Sequence, residues 1–247
     1  MGLAVVAALA FGAMAHGERL KGGELCSAYL ASQLPGAEPM TEEEAISVCT
    51  EAIEAGGSKK KLADYHYNRG LAYWNNGDVD KAMADYDSSI ALNPTPDAYE
   101  KRGNAWFWKK DYDRAIADFE QSVKRESNGR VYAALCAAQR LKGDLDAALA
   151  NCNQAVKRAS AYAPSFRNRG DVWRLKGDLD KAIADYDAAL DLDSGFTGAL
   201  TGRGLAYQAK GETDKARADF TAAIEGTASY FDGDEQQALA QEALAKL

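Results

Sequence analysis

Four cysteines are the residues of this 247-residue chain best suited to chemistry: Cys26, Cys49, Cys136 and Cys152. Thiol redox catalysts commonly carry a Cys-x-x-Cys motif, and no two of these cysteines have that spacing. Four cysteines can form two disulfides in three ways, and buried reduced cysteines can instead serve as small apolar side chains. The spacing alone leaves these alternatives open.

Other catalytic and metal-binding residue sets are incomplete. The chain has two histidines, His16 and His66, which are too few for a histidine-rich zinc site and leave little material for a Ser-His-Asp triad. The segment GDVDKAMADYD has aspartates at alternating positions like a calcium loop, but Met83 and Ser89 stand where an EF-hand requires Gly and Glu. We predict no catalytic residue, no metal site and no cofactor.

The composition is typical of a globular protein, with 47% hydrophobic and 27% charged residues. The formal net charge is −8, and the chain contains no run of five like charges. Binding to duplex nucleic acid requires a basic face that displaces counterions. The sequence therefore predicts no nucleic-acid partner.

The N-terminal segment LAVVAALAFGAMA is uncharged and ends in Ala13-Met14-Ala15. Its length of about 13 residues falls short of the roughly 20 that span a bilayer. We predict a signal peptide at residues 1–15, no membrane span in the mature chain, and a periplasmic or secreted bacterial protein. No basic residue precedes the apolar segment, which leaves the true translation start open. The alternative is a buried first helix.

A sequence repeat with a period of 33 or 34 residues occupies most of the remaining chain. NRGLAYWNNGDVDKAMADYD, from Asn68, recurs as NRGDVWRLKGDLDKAIADYD, from Asn168, and three further copies share the pattern. One position of each copy carries a small residue, and another carries a bulky aromatic residue in every copy except one, which has a cysteine. These positions are Gly70, Gly103, Cys136, Gly170 and Gly204, and Tyr86, Phe119, Cys152, Tyr186 and Phe220.

Each copy has the pattern of two helices joined by a tight turn. In the first copy Gly70 and Tyr73 lie one helical turn apart on the same face. Gly77 can adopt the left-handed conformation that ends a helix, and Asp78 can cap the next one. We expect the small side chain at Gly70 to let Tyr86 of the second helix pack closely. A single pair cannot bury its apolar face, so the pairs must stack.

The period, the two-helix unit, the small and aromatic positions and the closing Pro94 resemble the tetratricopeptide repeat family. The resemblance implies an all-α fold, a right-handed α-solenoid of antiparallel helix pairs with about six repeats and a C-terminal capping helix. We predict the signal peptide followed by an irregular helix pair with an extended turn (19–59), five repeats (63–228) and the capping helix (233–247).

The cysteines occupy equivalent positions of two helix pairs. Cys136 and Cys152 take the small and the bulky position of one regular unit. Aligning LCSAYL and TEEEAISVCTEAI with the repeat puts Cys26 and Cys49 at the same two positions of the irregular unit. Since these positions should face each other across a helix pair, we predict the disulfides Cys26–Cys49 and Cys136–Cys152.

The resemblance also implies a concave groove, lined by the first helices, that binds peptide segments of partner proteins. We expect Trp106 and Trp173 to serve in packing, whereas the other aromatics either contact a partner or fill gaps between units. A Lys-Asn clamp for acidic C-termini, as in some relatives, is not predicted, because only Asn104 matches it. The expected groove residues are Tyr67, Leu71, Trp74, Glu100, Asn104, Phe107, Trp108, Arg140, Arg167, Asp171 and Arg174.

The sequence thus predicts a non-enzymatic scaffold or adaptor of the periplasm or cell envelope, whose groove suits an extended peptide with apolar and acidic residues. One alternative is an accessory or regulatory subunit of an enzyme of peptidoglycan or polysaccharide assembly. Another is a hydrolase in its own right. The partner, the process served, the oligomeric state and the use of the groove or the convex face stay open.

Overall fold

The computed structural model describes residues 14–15, 18–19, 22–29, 40–227 and 232–247. The predicted signal segment up to residue 13, most of the extended turn and residues 228–231 lie outside the described residues. At the start of the described chain, strand β1 (Met14–Ala15) pairs antiparallel with β2 (Glu18–Arg19).

The rest of the described chain is helical. Thirteen helices follow one another in the described ranges, most of them 12–17 residues long. They are α1 (Gly22–Ala28), α2 (Glu42–Glu54), α3 (Lys59–Asn75), α4 (Val79–Leu92), α5 (Pro96–Trp108), α6 (Tyr112–Arg125), α7 (Gly129–Lys142), α8 (Leu145–Arg158), α9 (Ala163–Leu175), α10 (Leu179–Leu192), α11 (Thr197–Ala209), α12 (Thr213–Glu225) and α13 (Gly233–Leu244).

The chain divides into two compact units, one ending at Ala105 and one beginning at Trp106. In unit 1, α1 packs on α2 and α3, and α3 pairs with α4. In unit 2, each helix from α6 to α13 packs on the next one along the chain. The first helices α7, α9 and α11 also contact one another in sequence. These contacts confirm the predicted all-α fold of stacked helix pairs.

Close packing of a glycine against an aromatic ring joins the two helices in the pairs that contain Gly70, Gly170 and Gly204. A Cβ atom at Gly70 would lie 2.8 Å from Cε1 of Tyr86, and one at Gly170 would lie 2.9 Å from Cε1 of Tyr186. Both tyrosines are almost completely buried. While the ring is present, only glycine fits at this position without displacing the second helix. A larger residue fits only if the ring is replaced by a smaller side chain.

The turns between paired helices use a left-handed residue. Gly77 and Gly177 have φ angles of 83° and 84°, as the sequence predicts, but Lys110 takes the equivalent position with φ 62°. The carboxylate of Asp178 accepts a hydrogen bond from the backbone N–H of Lys181, 3.2 Å away, and so caps α10. Asp78 precedes α4 at the predicted position, but its carboxylate does not accept a hydrogen bond from the helix backbone.

An arginine–aspartate ion pair also joins the two helices within regular repeats. The Nε and Nη2 atoms of Arg169 donate to the two carboxylate oxygens of Asp185 at 2.8 and 2.7 Å. Such bidentate contact combines charge with fixed geometry. The equivalent pairs are Arg69 with Asp85 and Arg203 with Asp219.

The cysteine-containing pairs lack this ion pair. The structure places Cys26 with Cys49 and Cys136 with Cys152 at disulfide distance, with Cα atoms 4.8 and 5.2 Å apart. All four side chains are fully buried. The positions held elsewhere by arginine and aspartate are occupied here by Leu25 and Val48, and by Leu135 and Asn151.

Candidate functional site

Three of the predicted groove residues lie on α3 in unit 1. Leu71 is buried in a cluster with Ala82 and Tyr86, while Tyr67 and Trp74 pack against that cluster and remain partly exposed. The rings of Tyr67 and Tyr86 are tilted, with centroids 6.2 Å apart. Leu71 therefore serves the core, and a partner can reach only parts of Tyr67 and Trp74.

The next two predicted residues, Glu100 and Asn104, lie on α5 and are half-buried. Glu100 is 3.7 Å from Nζ of Lys101. Burial raises the pKa of the Tyr67 hydroxyl, and the nearby charges of Asp97 and Glu100 raise it further. The unit 1 surface is therefore aromatic with an acidic border.

The aromatics at the end of α5 divide between packing and exposure. Trp106 and Phe107 pack against the buried cluster formed by α6 and α7, and Arg114 stacks 4.4 Å from the Trp106 ring centroid. Phe107 meets Tyr112 edge-on at 5.6 Å. Trp108 is 50% exposed, which is the largest value among the large apolar side chains of the described ranges.

Two leucines that sequence reasoning missed continue this position. Leu141 is the penultimate residue of α7 and Leu175 is the last residue of α9, and they are 43% and 48% exposed. They follow Trp108 at steps of 33 and 34 residues, so extending the period from Trp108 finds them. We call Trp108, Leu141 and Leu175 the apolar row.

The predicted arginines of unit 2 converge on one buried carboxylate. Asp171 Oδ2 lies 3.2 Å from Nε of Arg167 and 3.6 Å from Nη2 of Arg140. The Tyr186 hydroxyl donates to Oδ1 at 2.7 Å. Burial by itself would raise the pKa of Asp171, but the charges of Arg167, Arg140 and Arg174 and the Tyr186 hydrogen bond hold it below its usual value. We call Arg140, Arg167, Asp171 and Arg174 the arginine cluster.

A second carboxylate reaches the cluster from the C-terminal helix. Asp232, immediately before α13, lies 2.8 Å from Nη2 of Arg167. Burial lowers the pKa of Arg167, but the charges of Asp171 and Asp232 outweigh that effect and raise it. Sequence reasoning missed Asp232 because the position of this residue depends on how α13 docks, which the repeat does not specify.

Three donors in the cluster have no acceptor among the described residues. The Nε atoms of Arg140, Arg167 and Arg174 are buried and make no hydrogen bond. Although Nε of Arg167 is close to Asp171, the contact lacks hydrogen-bond geometry. Within the described ranges, no three His, Cys, Asp or Glu side chains form a group that could hold a metal ion. None of the helices described is long and apolar enough to cross a membrane.

Solved structures share this architecture. YrrB, described as a TPR protein with an unusual peptide-binding site, is 25% identical, with a TM-score of 0.61 over 82% of this chain and 100% of its own. A thermophilic TPR protein from Thermus thermophilus is 24% identical, with a TM-score of 0.59 over 73% of this chain and 99% of its own. A tetratricopeptide repeat protein from Parabacteroides merdae is 19% identical, with a TM-score of 0.61 over 89% of this chain and 83% of its own.

Family models point the same way. Residues 63–96 and 109–164 match tetratricopeptide repeat models, and residues 170–211 match a TPR repeat model. Together these segments make up more than half of the chain, and most residues of the apolar row and of the arginine cluster lie within them. None of the curated protein sequences matches the chain. The chain belongs to the tetratricopeptide repeat family.

Proposed function

We propose that this protein is a non-enzymatic interaction scaffold that binds an extended peptide segment of a partner protein on its first-helix surface. The observation that carries the proposal is the exposure of Trp108, Leu141 and Leu175 at the same position of three consecutive first helices. Large apolar side chains that packing does not require tend to anchor interfaces.

The neighbouring charges suit the same role. Arg140 precedes Leu141, and Arg174 precedes Leu175, so each exposed leucine of the apolar row lies beside an arginine of the cluster. YrrB, which shares the fold, carries a peptide-binding site by its description. A surface of this composition favours a partner segment that has apolar and acidic residues.

The location proposed for this scaffold is the bacterial periplasm or cell envelope. Cysteine pairs at disulfide distance are typical of oxidising compartments, and the N-terminal apolar segment has the length of a signal sequence. Cell fractionation followed by N-terminal sequencing tests this. We expect a periplasmic chain that begins at His16, whereas a cytosolic chain that retains residues 1–15 would contradict it.

Site-specific photocross-linking tests the binding role. A benzophenone side chain replaces Trp108 in one variant and Leu192 in another; Leu192 is 45% exposed but ends the second helix α10. We expect cross-links to a defined partner segment from position 108 only. Adding Leu141→Ala and Leu175→Ala should abolish them while the circular dichroism spectrum stays unchanged. Equal cross-linking from both positions would refute the proposed surface.

A further inference from the structure

The charges of the arginine cluster do not balance. Three guanidinium groups, on Arg140, Arg167 and Arg174, face the carboxylates of Asp171 and Asp232. The neutral hydroxyl of Tyr186 adds no charge at ordinary pH, because burial and the nearby Asp171 raise its pKa. Among the residues that the structure describes, one positive charge is left without a carboxylate partner, in an environment where charges are costly to bury.

The arginine donors that lack an acceptor support the same conclusion. A buried N–H group without an acceptor has given up its hydrogen bond to water and gained none in return, and three such Nε groups meet within this one cluster. The side chain of Arg167 is nine-tenths buried, with 10% exposure, and that of Arg140 keeps 15%. The cluster is therefore desolvated but still reachable from the surface.

The repeat fold does not require these charges. At the position of Arg167 the other regular units carry Tyr67, Glu100, Ala133 and Thr201, and at the position of Asp171 they carry uncharged residues. The position of Arg140 and Arg174 is held elsewhere by Trp74, Phe107 and Gln208. Since other units stack without the cluster, packing alone does not account for it.

We infer that the arginine cluster is a binding site for one carboxylate of an acidic peptide segment. A third carboxylate would match three guanidinium groups with three negative charges and would supply acceptors for arginine donors. Leu141 and Leu175 beside it would contact apolar residues flanking the acidic one. This inference rests on the proposed function, because it specifies the chemistry of the peptide.

Asp232 supports the choice of ligand. Its carboxylate comes from α13 and pairs with Nη2 of Arg167 at 2.8 Å, so the cluster already accepts a carboxylate that the repeat itself does not contain. Its side chain also accepts a hydrogen bond from Gln236, but it caps no backbone N–H of α13. An Asp232→Asn substitution therefore raises the positive charge of the cluster and leaves the helix cap unaffected.

The test uses short fluorescein-labelled peptides and the full chain, with fluorescence anisotropy as the readout. One peptide has a single Glu between leucines and a blocked C-terminus, a second has Gln in place of Glu, and a third has Gln with a free C-terminus. We expect the Glu peptide to bind at least about tenfold more tightly than the blocked Gln peptide, since hydrogen bonds to a charged group are stronger than those between neutral groups. The third peptide shows whether a terminal carboxylate serves equally well.

Substitutions test whether the peptide binds at the arginine cluster. Arg140→Gln and Arg174→Gln should each remove most of the preference for Glu over Gln, and Asp232→Asn should increase it. Arg217→Gln is the matched control, because Arg217 is exposed on the second helix α12 and the substitution removes the same charge. Circular dichroism spectra verify that each variant is folded.

The outcomes separate this inference from the proposed function. Equal affinity for the Glu and Gln peptides, no binding of the Glu peptide at millimolar concentration, or an equal loss in the Arg217→Gln control overturns the carboxylate site. If the benzophenone at position 108 still cross-links a partner in that event, the scaffold function stands without the carboxylate site. If cross-linking also fails, both proposals fall.

Discussion

Breaking the bridge between Cys136 and Cys152 should loosen one helix pair in a way that can be calculated beforehand. The pair lies between α7 and α8, where a buried bridge takes the place of the glycine and aromatic ring found in the regular repeats. This hairpin also lacks the arginine–aspartate ion pair, since Leu135 and Asn151 hold those positions. It therefore depends on the bridge more than its neighbours do on any one contact.

The expected size of the effect follows from the loop that the bridge closes. The two cysteines are 16 positions apart in sequence. In the chain-entropy treatment, releasing a loop of this length returns to the unfolded segment entropy worth about 3 kcal/mol. Because 1.4 kcal/mol is a factor of ten in an equilibrium constant, reduction should raise the open population of the α7–α8 hairpin about 100-fold.

Hydrogen exchange measured by mass spectrometry, with and without reductant, gives the local readout. Peptides from α7 and α8 should lose protection on reduction. A Cys136→Ala and Cys152→Ala variant should show the weak protection of the reduced chain both with and without reductant. A Cys136→Gly and Cys152→Tyr variant restores the glycine and ring of the regular repeats. Its protection should lie between that of the bridged chain and that of the alanine variant, since burying such a ring contributes about 1.5–3 kcal/mol.

A variant with Cys26→Ala and Cys49→Ala is the control for the reductant, because only the bridge between α7 and α8 remains in it. Its α7 and α8 peptides should respond to reductant as the unmodified chain does. If these peptides exchange at the same rate whether the thiols are bridged or free, loop closure does not stabilise the hairpin and the reasoning is refuted.

Three further substitutions test the packing and the charges. Arg169→Leu should lower the free energy of unfolding by about 2 kcal/mol by leaving the Asp185 carboxylate without its guanidinium partner, and adding Asp185→Asn should recover most of this in urea titrations. Lys110→Gly should raise the melting temperature, because it relieves a left-handed backbone worth about 1 kcal/mol. The pKa of Asp171 is lowered in the folded chain, so its ionised carboxylate stabilises the fold above about pH 4, and this stabilisation is lost as lower pH protonates the group. Asp171→Asn should therefore reduce the loss of stability between about pH 5 and pH 2.

A specific outcome would contradict each of these three predictions. An Arg169→Leu variant that the second substitution does not rescue would mean that the arginine acts through packing. An unchanged or lower melting temperature for Lys110→Gly would mean that the lysine side chain makes compensating contacts. An Asp171→Asn variant with the full acid dependence would assign that dependence to other carboxylates.

The helical architecture could be predicted because every copy of the repeat must satisfy the same packing constraint between its two helices. Gly170 opposite Tyr186 and Cys136 opposite Cys152 are two solutions of one steric constraint, so aligning copies gives both the helix pairs and the partners of the cysteines. Lys110 shows where the pattern is permissive. A turn residue can bear left-handed strain of about 1 kcal/mol when the helices on either side are well packed, so the absence of glycine did not move the turn.

The candidate site was less accessible to sequence reasoning, because a period assigns a residue to a face but not to a degree of exposure. Leu71 was expected in the groove and is buried, since the aromatic rings of Tyr86 and its neighbours surround it. The arginine positions were found, yet their pairing with Asp171 was not, because acidic and basic side chains on neighbouring turns can face each other or a ligand. Asp232 depends on the docking of α13, which no repeat encodes.

The division of labour among repeat positions explains how one fold can carry such a cluster. The glycine and ring positions, such as Gly170 and Tyr186, hold each helix pair together and tolerate little change in size. The positions of Arg167, Asp171 and Arg174 lie on the first helices and hold different residue types in different units, so stacking does not fix their side chains. Unpaired charges placed there weaken one unit without dismantling it, because the neighbouring interfaces stabilise it. Binding chemistry can therefore concentrate at these positions, and the surplus guanidinium charge of unit 2 is where that chemistry should be sought first.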